Sequence, residues 1–173
     1  VTYSGSSGVG SAVHLGMERL AQLSGARLLF VPYKGSAPAI LAVMGGEIHI
    51  AAGSAIAASG AIRTGKVRAL AALGLTRIPS MPDLPTVAEQ GFPGFKITNR
   101  YNLFAPAGTP RDIVAAMNRV VSDGMHSPQM TQRLANDGSQ PAERMTPAEL
   151  KAAIAREYAE IEQQVKQLNI KIE

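Results

Sequence analysis

The residues Gly5, Ser6, Ser7, Gly8, Val9, Gly10 and Ser11 combine backbone freedom with hydroxyl groups in one short stretch. Three glycines let the main chain come close to a ligand, and the serines stand between them. The residues that follow, through His14, Leu15 and Met17, predict a helix. The loop therefore opens onto a helix N-terminus, where unpaired N–H groups and the positive end of the dipole favour a carboxylate or a phosphate. The other reading of the same residues is a glycine-rich turn that only reverses the chain into the helix.

The spacing Gly5-x-x-x-x-Gly10 is that of a nucleotide P-loop, but Ser11 and Ala12 stand where Lys and Ser/Thr are required. The groups that would reach the outer phosphates and hold Mg²⁺ are absent. A dinucleotide fingerprint fails as well, because Val13 occupies the place of its third glycine. An enzyme that binds a phosphorylated or other anionic substrate at residues 5–11 stays open at this point, although no Ser/His/Asp or paired-carboxylate arrangement stands near that loop.

Composition narrows the classes. With 46% hydrophobic and 17% charged residues, the 173-residue chain is globular and large enough for one ordinary core, or for a lobe and part of another. A net charge of +4 suits anions, yet Lys and Arg are scattered and aromatics are only 5%, which argues against nucleic acid. The absence of Cys excludes disulfides and thiolate chemistry and is compatible with cytoplasm or periplasm. His14, His49 and His126 have no metal-ligand spacing, so neither a metal nor a cofactor is expected. No apolar run is long enough to span a membrane.

Elements that would position the loop follow from the pattern of apolar runs and breakers. Residues 27–33 (RLLFVPY), 47–52 (EIHIAA) and 67–73 (VRALAAL) read as buried strands, with helices at 38–44 and from Gly53-Ser54 to near Gly65. Strand, loop and helix in repetition predict a parallel sheet covered on both faces. Ligands of such sheets bind beyond the carboxyl ends of the strands, which selects residues 5–11, 33–36 and 53–54 as one shared cleft. Residues 78–85 form a proline-stiffened crossing, 86–90 a short helix with a Thr86/Glu89 capping box, and 96–105 a long strand. Helices are expected over 110–124 with Thr109 as cap, over 128–136, and from Pro147 to about Leu168 with Thr146 as cap. The charges of the last helix, Lys151, Arg156, Glu157, Glu160, Glu162 and Lys166, read as a solvated face.

Taken in order, SGSSGVGSAVHL, VPYKGSAPAI, GKVRALAALG, IPSMPDLPTVAEQGFPGF, LFAPAGTP and TPAEL resemble the C-terminal part of the substrate-binding proteins of tripartite tricarboxylate transporters, the Bug family. The resemblance covers almost the whole chain. It implies a type II periplasmic-binding-protein fold, an α/β architecture of two lobes that close over a small organic acid and pass it to membrane permease subunits. It implies export to the periplasm and no catalysis, and that the missing part precedes Val1. Residues 1–102 would then be the ligand-binding α/β lobe without its N-terminal part, and residues 103–173 the return crossing and the C-terminal helices of the first lobe. A ligand-sensing domain of similar fold is a further alternative.

Carried over by position, Ser6, Ser7, Gly8, Val9, Gly10 and Ser11 match the segment that binds a ligand carboxylate, His14 matches a family histidine, and Tyr33, Lys34 and Gly35 match a turn facing the cleft. Gly53 and Ser54 stand where many members carry Asp-Asn, which favours a plain carboxylic acid over an amino acid. Arg100 is a candidate clamp for a second carboxylate if its face of the strand is inward. The helices after Pro110 would expose apolar faces when their covering lobe is missing, so that self-association or domain swapping is expected of this segment.

Overall fold

The computed structural model describes residues 1–168. Its centre is a three-stranded parallel sheet of order β2-β1-β3, built from β1 (Thr2–Gly5), β2 (Leu29–Phe30) and β3 (Ile50–Ala52). Strand β1 lies in the middle, pairing Tyr3 with Phe30 on one side and Tyr3, Ser4 and Gly5 with Ile50, Ala51 and Ala52 on the other. Helices α1 (Ala12–Ser24), α2 (Ser36–Met44) and α3 (Ala55–Arg63) follow the three strands in turn. The parallel βα order is the one the sequence predicts. The core gathers around fully buried Tyr3, with Val13, Met17 and Ala52, and is extended by Leu20, Leu28, Phe30, Ile50, Leu73 and Ile97.

Both outer strands are shorter than their apolar runs. Pro32 has no N–H to give and ends β2, whose Leu29 is 63% exposed because no described residue covers it on that edge. The expected strand at 67–73 is absent. Its only ladder is a parallel bridge between Ala72 and Thr86, in which the Ala72 N–H donates to Pro85 C=O and the Val87 N–H to Ala72 C=O. The proline-rich stretch beside it cannot supply a continuous row of donors. The expected helix at 86–90 is a turn. Its capping box forms, Thr86 N–H donating to Glu89 Oε2 (2.7 Å) and Glu89 N–H to Thr86 Oγ1 (3.1 Å), but Gly91 at φ +104° and Pro93 stop propagation.

Residues 96–105 form no strand. The Ile97 N–H donates to Leu73 C=O and its side chain packs against Gly16 of α1, after which Tyr101 (90% exposed), Leu103 and Phe104 face solvent. An apolar run becomes a strand only beside a partner, and none stands next to it among the described residues. Three helices complete the chain: α4 (Arg111–Met125), α5 (Pro128–Asn136) and α6 (Pro147–Leu168). Pro110, not Thr109, takes the N-cap position of α4, and no side chain caps it. Ser127 caps α5, and the Thr146/Glu149 box opens α6, which packs on α1. Among the described residues no helix is long and apolar enough to cross a membrane.

Candidate functional site

Because all three strands are parallel, their carboxyl ends lie along one edge of the sheet, and residues 6–11, 31–35 and 53–54 leave from it together. Register places Gly5 beside Ala52, and Ser36 joins the second loop to the third: its Oγ accepts the Ser54 N–H at 3.2 Å. Gly53 is glycine for that reason. A Cβ there would stand 2.6 Å from Ser36 Oγ. The three loops expected to share a cleft leave from one edge of the sheet.

The first loop is held in shape from within. Gly10 takes φ +79°, a conformation side chains resist, and turns its N–H onto His14 Nδ1 at 3.0 Å. Ser11 caps α1, its Oγ accepting the His14 N–H at 3.3 Å, while its own N–H returns to Gly8 C=O. The Ala12 and Val13 amides of the first helical turn have no such partner among the described residues, and Ser7, Gly8 and Val9 are exposed. Loop and helix end together present N–H and hydroxyl donors at the positive end of α1, a geometry that favours an anion.

His14 is buried beneath these donors, 6% exposed. Since Nδ1 accepts the Gly10 N–H, the ring is neutral with its proton on Nε2, which lies 3.9 Å from Glu18 Oε1. Burial holds its pKa below the ordinary range, and the Glu18 charge opposes that only partly. The same Oε1 accepts the Tyr3 hydroxyl at 2.8 Å, and burial, helped by the bond and charge of Glu18, pushes that phenol far above its usual value. Phe30 stacks on the His14 ring with centroids 4.3 Å apart. His14 is therefore a support for Gly10, reached through one hydrogen bond.

In the second loop Tyr33 donates its hydroxyl to Glu47 Oε2 (3.0 Å); desolvation first, then Glu47, raises its pKa. Lys34 is exposed and Gly35 precedes α2. Arg100 lies elsewhere, 3.8 Å from Glu157 Oε2 on α6, so Glu157 belongs to a cross-chain pair and not only to a solvated face. Asp137, which no local pattern singles out, brings its carboxylate to the third loop, where Oδ1 accepts from Ser54 Oγ (3.0 Å) and Ile56 N–H (3.2 Å). A cavity of about 340 Å³ between α1 and α6, lined by Arg19, Gln22, Glu160 and glutamines, is separate from all three loops. No group of three or more His, Asp or Glu that could hold a metal occurs among the described residues.

A parallel βα sheet with an anion cradle at its carboxyl edge, followed by returning helices, is the architecture of one part of a periplasmic binding protein. The chain belongs to the family described as tripartite tricarboxylate transporter family receptor, whose model matches residues 1–170. It is similar to protein BugT of Bordetella pertussis, 34% identical over 149 residues that make up 86% of this chain and 45% of BugT. Among solved structures it is similar to Rpa4515 of R. palustris with adipate (TM-score 0.86, 31% identity, covering 98% of this chain and 56% of that one). It is also similar to MatC of Rhodopseudomonas palustris with bound malate (TM-score 0.74, 30% identity, covering 95% and 56%). The chain spans less than half the length of curated relatives such as BugT, and little more than half of these structures. The family resemblance and the binding-protein fold read from the sequence both hold.

Proposed function

We propose that the protein to which this chain belongs is an extracytoplasmic solute receptor that binds a small organic acid and delivers it to the membrane subunits of a tripartite tricarboxylate-type transporter. The observation that carries this reading is the donor wall of residues 6–12 at the N-terminus of α1, which offers N–H and hydroxyl groups but no acid, base or metal ligands for catalysis. Family membership and the adipate and malate of two similar structures support a carboxylate as the anion. In this reading the protein works in the periplasm, without a cofactor and without catalytic residues.

One carboxylate of the ligand sits against Ser6, Ser7, Gly8, Val9, Gly10 and Ser11, with the 33–35 turn alongside. Backbone donors preset by Gly10 need no reorganisation on binding, and the helix dipole adds a favourable field. The second wall of the cleft, and the shape that selects one acid from another, come from the part of the fold beyond this chain. Residues 1–102 and 103–173 belong to different lobes in this reading, and closure between them completes the site.

The test is a thermal-shift and calorimetric series on the full-length protein with adipate, malate, citrate, acetate, glutamate and ATP. Binding of one or more carboxylates raises Tm with the logarithm of ligand concentration above Kd, and the replacement Ser11→Ala weakens it. A protein stabilised by ATP alone, with no response to any carboxylate, overturns the reading.

A further inference from the structure

The N-terminus of α3 is capped from a distance. Ser54 stands at the N-cap position but makes no side-chain cap bond of its own. The oxygen that a capping side chain would normally provide comes from Asp137, 83 residues further on: its Oδ1 accepts the Ser54 hydroxyl and the Ile56 N–H, the second amide of the helix. Asp137 is itself the residue that ends α5, its N–H donating to Leu134 C=O. Two neighbours repeat the contact. Asn136 C=O accepts the Ser80 hydroxyl at 2.9 Å, and Gly138 lies against Ile78. On the other side Ser54 is bonded through its N–H to Ser36, at the end of the 33–35 turn.

We propose that Asp137 is a clasp between the C-terminal helices and the ligand-binding sheet, and that it takes the third loop out of direct ligand contact. A carboxylate already occupies the positive end of α3, so a solute carboxylate is left with the α1 end and the 33–35 turn. The clasp also joins the two parts of the chain that the proposed function assigns to different lobes, one hydrogen bond from Ser36. Its consequence for closure rests on that reading. Contacts that break or form at this point set how far the lobes open.

The experiment compares wild type, Asp137→Ala and Asp137→Asn in the full-length protein, without ligand. Asn keeps the accepting oxygen and is as good a cap as Asp. Amide exchange of the first turn of α3 is followed by mass spectrometry, and the distance between spin labels at Ala57 and Gln129 by pulsed EPR. Asp137→Ala is expected to exchange roughly fivefold faster at Ile56 and to show a broader, longer distance distribution, while Asp137→Asn stays with wild type. Ser54→Ala, which leaves the Ile56 bond intact, falls between. Unchanged exchange and distance in Asp137→Ala, or equal acceleration in the Ala and Asn variants, overturns the clasp. An adipate, malate or citrate response of the wild type is a separate reading, so failure of the proposed function and failure of the clasp are told apart.

Discussion

Replacing His14 tests whether the anion loop is shaped from below. In His14→Ala the Gly10 N–H loses its acceptor. A half-buried amide left unsatisfied costs about 1–2 kcal/mol. The ring also leaves Phe30, which it meets at 4.3 Å between centroids, a contact contributing about 0.5–1.5 kcal/mol. Together these predict a loss of about 1.5–3.5 kcal/mol. Asn can place its Oδ1 close to where Nδ1 stands, so His14→Asn loses only the ring and costs about 1 kcal/mol. The second arm is pH. Burial lowers the folded-state pKa of His14 below its unfolded value of 6.5. The unfolded chain therefore binds more protons in the window below 6.5, and the contribution of His14 is complete above 6.5 and shrinks as pH falls through that window. Urea denaturation of the full-length protein from pH 7.5 to 5 reads both arms. Wild type should lose stability relative to His14→Asn as the pH falls below 6.5. Equal costs for Ala and Asn, or a wild type that gains on His14→Asn in acid, would refute the reasoning.

Further outcomes follow from single contacts. Gly53→Ala drives a methyl to 2.6 Å from Ser36 Oγ and is expected to cost about 1–3 kcal/mol in chemical denaturation, with weaker carboxylate binding because the second and third loops part. Thr86→Ala removes one half of the 86–89 capping box and should cost about 0.5–2 kcal/mol in the same assay. Glu89 has its pKa lowered chiefly by the Thr86 N–H, then by Arg77, so its contribution is present above its unfolded pKa and fades as pH falls through the lowered one; a Glu89→Gln variant should show a flatter acid limb. Residues 1–173 produced alone should self-associate through Ile113, Met117, Val120 and Val121, exposed at i, i+4, i+7 and i+8 of α4, and Met117→Lys with Val120→Lys should restore a monomer in sedimentation velocity.

What could be read from the residues was what neighbours in sequence decide. The helix after Ser11, the Pro128 start of α5 and the Thr146 cap of α6 are local signals, and all three stand. The convergence of three βα loops was legible because a parallel sheet leaves no other place for them. Strands at 67–73 and 96–105 were misread because apolar alternation states only that a segment suits a ladder. Whether it forms one depends on a partner, and the candidates here are proline-rich or absent from the described residues. Asp137 was invisible for a related reason. Its partners lie 81 and 83 residues away, beyond the reach of any local pattern. His14 was found by position, but its role as acceptor for Gly10 depends on which ring nitrogen faces the loop.

The exposed apolar face of α4 and the one-sided anion cradle are two consequences of the same geometry. A cleft closed by two lobes divides its donors between them, so the sheet described here needs only one wall of a site. In the two-lobe reading proposed above, the helices after residue 110 carry apolar side chains whose partners are on the other lobe, and the matched structures extend beyond this chain by nearly half their length. Tyr101, Leu103 and Phe104, among the most exposed large apolar residues, lie in the crossing itself, where a segment passing between two bodies is covered by both. The polar supports follow the opposite rule. His14, Glu18 and Tyr3 are satisfied inside the sheet and α1, and Ser36, Ser54 and Asp137 are satisfied by one another. Shape at residues 6–11 is thus built into this part of the fold, while in the proposed reading affinity and selectivity come from the second wall. A substitution beneath the loop should alter stability and binding together, whereas one on the α4 face should alter assembly and leave the loop's geometry unchanged.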